Sequence, residues 1–67
     1  MKYKIGDKFQ EQCYSIIYTL NKSKSSKFDF FATAYNGFTG EKMELHNTFI
    51  NENHIDKAIQ SGKLIKL

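Results

Sequence analysis

Residues 14–35 read Tyr14-Ser-Ile-Ile-Tyr-Thr-Leu-Asn-Lys-Ser-Lys-Ser-Ser-Lys-Phe-Asp-Phe-Phe-Ala-Thr-Ala-Tyr35, and the fold turns on how this stretch is parsed. Two runs rich in aromatic and β-branched residues flank residues 21–27, which contain only Asn, Lys and Ser. Runs of this composition separated by a short polar segment predict an antiparallel hairpin. Side chains alternate along a strand, so Tyr14, Ile16, Tyr18 and Leu20 fall on one face and Cys13, Ser15, Ile17 and Thr19 on the other. In the second run Phe28, Phe30, Ala32 and Ala34 share a face, opposite Asp29, Phe31, Thr33 and Tyr35. A sheet covering one core reads apolar on one side and polar on the other. Here Ile17, Phe31 and Tyr35 are left over on the second side.

Outward from the hairpin, Lys2-Tyr3-Lys4-Ile5 alternates with period two, which places Tyr3 and Ile5 on one face of an extended segment. Gly6-Asp7 is a turn or bulge signal, after which Lys8-Phe9-Gln10 resumes extended chain. On the other side, Asn36-Gly37 is the dipeptide favoured in a two-residue type I′ turn, while Gly40 points to a bulge or a wider loop. Met43, Leu45, Asn47 and Phe49 then alternate with Glu44, His46, Thr48 and Ile50, predicting a strand whose first set faces inward.

The tail carries the helix. Asn51 is a candidate N-cap, with Ile50 and Ile55 placed as a hydrophobic staple and Glu52 and Asp56 suited to the positive end of the helix dipole. Ile55, Ala58 and Ile59 form one apolar stripe, and Gly62 stands where a helix-terminating residue belongs. A short closing strand follows at Leu64–Leu67. The predicted fold is therefore one small, mainly β domain over residues 1–67, in the order β-β-β-β-α-β with one short helix near residues 52–61. That order resembles an SH3-like small barrel; a meander sheet packed by one helix is the alternative. An OB-fold would carry its helix earlier.

Composition narrows the function classes. A chain of 67 residues that is 40% hydrophobic and 15% aromatic is too apolar for disorder, yet small for an unstapled core. The single Cys13 forms no internal disulfide. The alternating N-terminus lacks the apolar run of a signal peptide, and no stretch reaches the ~20 apolar residues of a membrane span. The expectation is a soluble protein of a bacterial cytoplasm. The net charge of +3 is uneven: residues 1–27 carry +4 and residues 28–67 carry −1. Every basic residue is Lys, a point charge without the rigid fork of Arg.

No catalytic group, cofactor or metal site is predicted. Cys13 has no activating neighbour in sequence, and Cys13, His46 and His54 match no compact ligand spacing. Gly37-Phe38-Thr39-Gly40 spells the loop of KH domains, but it joins strands rather than helices and reads as a turn. The Asn21-Lys22-Ser23 sequon is inert without secretion. Two binding features remain. Lys22, Lys24 and Lys27 on the hairpin loop, near Tyr14, Tyr18, Phe31 and Tyr35, suit a phosphate-bearing ligand or single strand, although Lys and Ser also make an ordinary solvated tip. Exposed together, Ile17, Phe31 and Tyr35 make an apolar patch that fits a protein partner or a second copy of the chain.

The opening Tyr3-Lys4-Ile5-Gly6-Asp7-Lys8-Phe9 and the closing Ile55-Asp56-Lys57-Ala58-Ile59-Gln60-Ser61-Gly62-Lys63-Leu64 resemble small SH3-like proteins encoded by phages and prophages of low-GC Gram-positive bacteria. The likeness spans both ends and the overall plan, on turn, cap and core positions, and carries no functional residue across. It implies a setting: stoichiometric binding of a host enzyme, a defence component or its nucleotide signal. The leading expectation is a non-catalytic, phage-encoded binding protein that sequesters or blocks a host target. A small nucleic-acid-binding module on the same hairpin and a structural or assembly subunit are the alternatives.

Overall fold

The computed structural model describes residues 2–67, apart from the side chains of Leu45 and His46. The elements are β1 (Lys8–Glu11), β2 (Ile16–Lys22), β3 (Phe30–Asn36), β4 (Lys42–Ile50), α1 (Glu52–Gln60) and β5 (Leu64–Lys66). They form one five-stranded antiparallel sheet in the order β4-β3-β2-β1-β5. As expected, the molecule is mainly β in the order β-β-β-β-α-β: β1 to β4 run as a meander, and β5 crosses over to pair with β1, leaving β4 and β5 at the ends of the strand order. The helix lies between those edge strands in sequence, and its route from β4 to β5 carries it across one face of the sheet.

Register assigns that inner face. Phe9, Tyr18, Ala34 and Met43 lie in one cross-strand row, Leu20, Ala32 and Thr48 in the next, and Phe30 with Ile50 in a third. Against this face pack Ile55 and Ile59 of α1 and Leu64 of β5. Phe9, Leu20 and Ile55 are the largest fully buried side chains. The nine-residue helix is too short to persist alone in water, so this burial is what holds it.

Several local expectations are corrected. The segment before Gly6 is not a strand. Tyr3 is buried and meets Phe9 edge-on, with ring centroids 5.5 Å apart, while Ile5 is exposed. A turn reverses the chain at this point, with the Asp7 N–H donating to the Lys4 carbonyl and Asp7 Oδ2 accepting from the Lys4 N–H. The alternation of residues 2–5 is thus real in sequence but serves one anchored aromatic. Strand β2 begins at Ile16 rather than Cys13, and β3 at Phe30 rather than Phe28, so the hairpin connection is residues 23–29.

The β3–β4 connection is not a type I′ turn. That turn needs positive φ at Asn36 and Gly37, and neither residue has it; Gly40 does, at φ +77°. Asn36 instead organises a wider loop, its Oδ1 accepting from the N–H groups of Phe38 and Thr39 while its carbonyl accepts from Gly40. Close packing explains Gly37, since a Cβ there would sit 3.0 Å from the Ser15 carbonyl oxygen.

Strand β4 also departs from simple alternation. The register shifts between Ala32 and Ala34, which pair with Thr48 and Met43. The intervening irregularity resets the faces, so Met43 and Ile50 face inward and Phe49 faces outward. The buried Ala34 N–H is satisfied by Asn47 Oδ1 at 2.9 Å. Leu45 and His46, expected on opposite faces here, have side chains outside the described residues.

At the helix start, Asn51 occupies the N-cap position in extended conformation but makes no capping bond from its side chain. The cap is exchanged with the hairpin: Asp29 Oδ2 accepts from the Glu52 N–H at 2.9 Å, and Asn51 Oδ1 accepts from the Asp29 N–H at 2.8 Å. At the other end Gly62 (φ +81°) closes a Schellman motif, with Gly62 N–H donating to Ile59 and Lys63 N–H to Ala58. Tyr3 ties the arm to this helix by donating its hydroxyl to Asp56, which Lys2 also contacts at 3.2 Å.

Candidate functional site

The site is built on the outer face, the side of the sheet away from α1. Three cross-strand rows compose it. Ile65, Gln10, Ile17, Tyr35 and Lys42 form the first, Lys8, Thr19 and Thr33 the second, and Asn21, Phe31 and Phe49 the third. These rows contain no acidic residue. Polar side chains stitch the middle, where Lys8 Nζ donates to Thr19 Oγ1 at 3.0 Å and the Asn21 amide donates to Thr33 Oγ1.

Three phenylalanines gather at the third row. Phe28 and Phe49 stack with centroids 5.3 Å apart and planes 26° from parallel, and Phe31 tilts against Phe49 at 5.2 Å. Phe28 is 36% and Phe49 47% exposed, whereas Phe31, against Phe49, is half-buried. Lys22 and Lys24 line one hollow of about 250 Å³ with Phe31 and Phe49. At the first row Ile17 and Tyr35 are direct cross-strand neighbours, and they share a second hollow of about 320 Å³ with Lys8. Lys42, beside Tyr35, is paired with Glu44 at 3.5 Å.

The structure therefore brings together part of the expected set. Ile17, Phe31 and Tyr35 share the outer face; Lys22, at the end of β2 in register with the inward Phe30, and Lys24 line the hollow beside Phe31 and Phe49 at one end of it. Lys27 is elsewhere, in a hollow with Asp29, Glu52 and Asp56 at the helix N-terminus. Tyr14 is exposed in the β1–β2 turn, remote from the lysine loop. Tyr18 lies on the inner face, its hydroxyl donating to Glu11 Oε2 at 2.9 Å. Burial and that carboxylate raise the Tyr18 phenol to about 12.

Phe28 and Phe49 are the site residues that alternation did not identify. Phe28 precedes β3, so strand parity does not govern it, and Phe49 changes face through the β4 irregularity. The only sequence signal for them was the surplus of aromatics over what one small interior can hold.

The inner side offers a cleft of about 240 Å³ between α1 and the sheet, lined mainly by Phe9, Tyr18, Leu20, Ala32 and Ile55. Its walls are core side chains with few polar groups to orient a ligand. The outer face is the better-equipped surface: aromatic planes offer stacking area, and ammonium groups beside them attract anions. Among the described residues no group of three His, Cys, Asp or Glu side chains is arranged to hold a metal ion, and no helix is long and apolar enough to cross a membrane. No protein-family model matches the chain, and neither does any curated protein or solved structure.

Proposed function

We propose that this chain is a non-catalytic binding protein whose contact surface is the outer face of its sheet. The observation that carries the reading is the solvent-facing Phe28–Phe49 stack on Phe31. A contiguous aromatic patch is costly to leave in water, and such patches mark interaction sites. The chain works stoichiometrically, by occupying a target rather than turning it over. In the setting that the terminal sequences suggest, a phage protein in a bacterial cytoplasm, that occupation sequesters or blocks a host component. A second copy of the chain is a poor occupant, because Lys8, Lys22 and Lys24 would bring positive charge against positive charge across the contact.

The test is capture from bacterial lysate by the immobilised chain, in parallel with Phe28→Ser/Phe49→Ser, with and without nuclease. The wild-type chain is expected to retain a partner that the variant loses at least tenfold, with the circular dichroism of both proteins alike. Equal retention by a folded variant would remove the outer face from the reading.

A further inference from the structure

Resting on the outer face as the contact surface, we infer that its occupant is a single-stranded nucleic acid spanning two stations. The first station is the Phe28–Phe49–Phe31 cluster with Lys22 and Lys24. The second is Tyr35 against Ile17, with Lys8. Each joins an aromatic ring to at least one lysine, the pairing that seats a base on its flat face and a phosphate on an ammonium. Phe31 and Tyr35 lie four residues apart on one strand, so the stations are about 13 Å apart at ~3.3 Å per residue. That separation suits a polymer with repeated bases and phosphates better than one nucleotide.

Charge selects the same occupant. Apart from Glu44, which pairs with Lys42 at the β4 edge, no carboxylate adjoins the named residues of the three outer rows, whereas Asp29, Glu52 and Asp56 collect on the helix side with Lys27. A chain of modest net charge thus presents one positive, aromatic face and keeps several acids away from it. The rings favour a single strand over a duplex, whose bases are stacked on one another and offer their faces to no side chain. An acidic protein is the competing occupant; it would use the lysines without needing accessible, stacked rings.

The experiment is fluorescence anisotropy with labelled 12-nucleotide single strands of DNA and RNA, the matching duplex, and unlabelled mononucleotide as competitor. Binding to at least one of the two single strands is expected to exceed duplex binding. With Lys8, Lys22 and Lys24 each on one phosphate, log affinity should fall with log salt at a slope of about −2, at ~0.7 per contact. Lys22→Ala/Lys24→Ala should reduce that slope to about −0.7. Phe28→Ala/Phe49→Ala should weaken binding by roughly fivefold or more for each base unstacked. The lysine variant tests the same site should the phenylalanine variant fail to fold. The inference is overturned by no binding to either strand at 50 mM salt, by equal binding of duplex, by full competition from mononucleotide at equal nucleotide concentration, or by folded variants that bind as wild type. If a nuclease-resistant protein is captured through the outer face while the strands are ignored, the nucleic-acid assignment fails and the binding-face reading stands. Capture that is indifferent to Phe28 and Phe49, with no strand binding, removes both.

Discussion

Tyr3 shows how one side chain joins three parts of the fold. Its ring packs edge-on against Phe9 while its hydroxyl donates to Asp56 on α1. The Asp56 hydrogen bond first, and then burial, raise the phenol to about 12, and the same bond holds the Asp56 carboxyl below its ordinary value. The signs oppose. Tyr3 stabilises the fold fully below its unfolded value near 10, and this is lost as pH rises toward 12. Asp56 stabilises it above its unfolded value of 3.8, and this is lost as pH falls through its lower folded value. Tyr3→Phe is therefore expected to flatten both limbs of a urea-denaturation profile against pH. Neither limb should vanish, because Tyr18 titrates in the same alkaline window and Lys2 still faces Asp56. Unchanged limbs would mean that the Tyr3–Asp56 bond does not contribute.

Among the elements, β4 adds a side-chain bond to its pairing with β3 where the register shifts. Beside the register shift the Ala34 N–H donates to Asn47 Oδ1, a side-chain acceptor from β4. Ala34 is fully buried, and loss of a hydrogen bond of this kind costs about 0.5–1.5 kcal/mol. Asn47→Ala is expected to lower unfolding free energy by that amount, while Asn47→Asp, which keeps an acceptor, should lower it less; chemical denaturation of both variants measures the difference. The irregularity also turns Phe49 outward, so the element that completes the aromatic platform is the one whose regular alternation fails. Helix α1 shows a related exchange, with its first N–H capped by Asp29 from the hairpin connection rather than by its own Asn51. Both devices use polar side chains to join segments distant in sequence.

At the scale of the whole molecule, the two sides of the sheet separate stability from binding. Leu20 is almost wholly enclosed between sheet and helix, and Phe49 is about half exposed on the other side. Leu20→Ala should cost about 2–5 kcal/mol. Phe49→Ser should cost clearly less in denaturant melts while affecting capture of a partner more. A reversed order would make the outer aromatics part of the stabilising core. The charge distribution follows the same division, with lysines around the outer face and several acids beside the helix start.

By itself the sequence determined the β-β-β-β-α-β order, the central hairpin, the helix with its apolar stripe and Gly62 terminus, and the excess of apolar side chains on one side of the sheet. These are local: period-two and helical spacing, turn chemistry and capping act within a few residues. Tertiary structure decided the rest. Tyr3 became core because Phe9 and Asp56 meet it from sequence positions far apart, and Phe49 became surface because strand pairing across an irregularity changes which face a residue takes. The lysines of one loop divided between the outer face and the helix N-terminus because strand β2 runs on through Lys22 and the connection then crosses to Asn51. Alternation names two faces, but cross-strand pairing and the helix that covers one of them determine which residues remain for a partner.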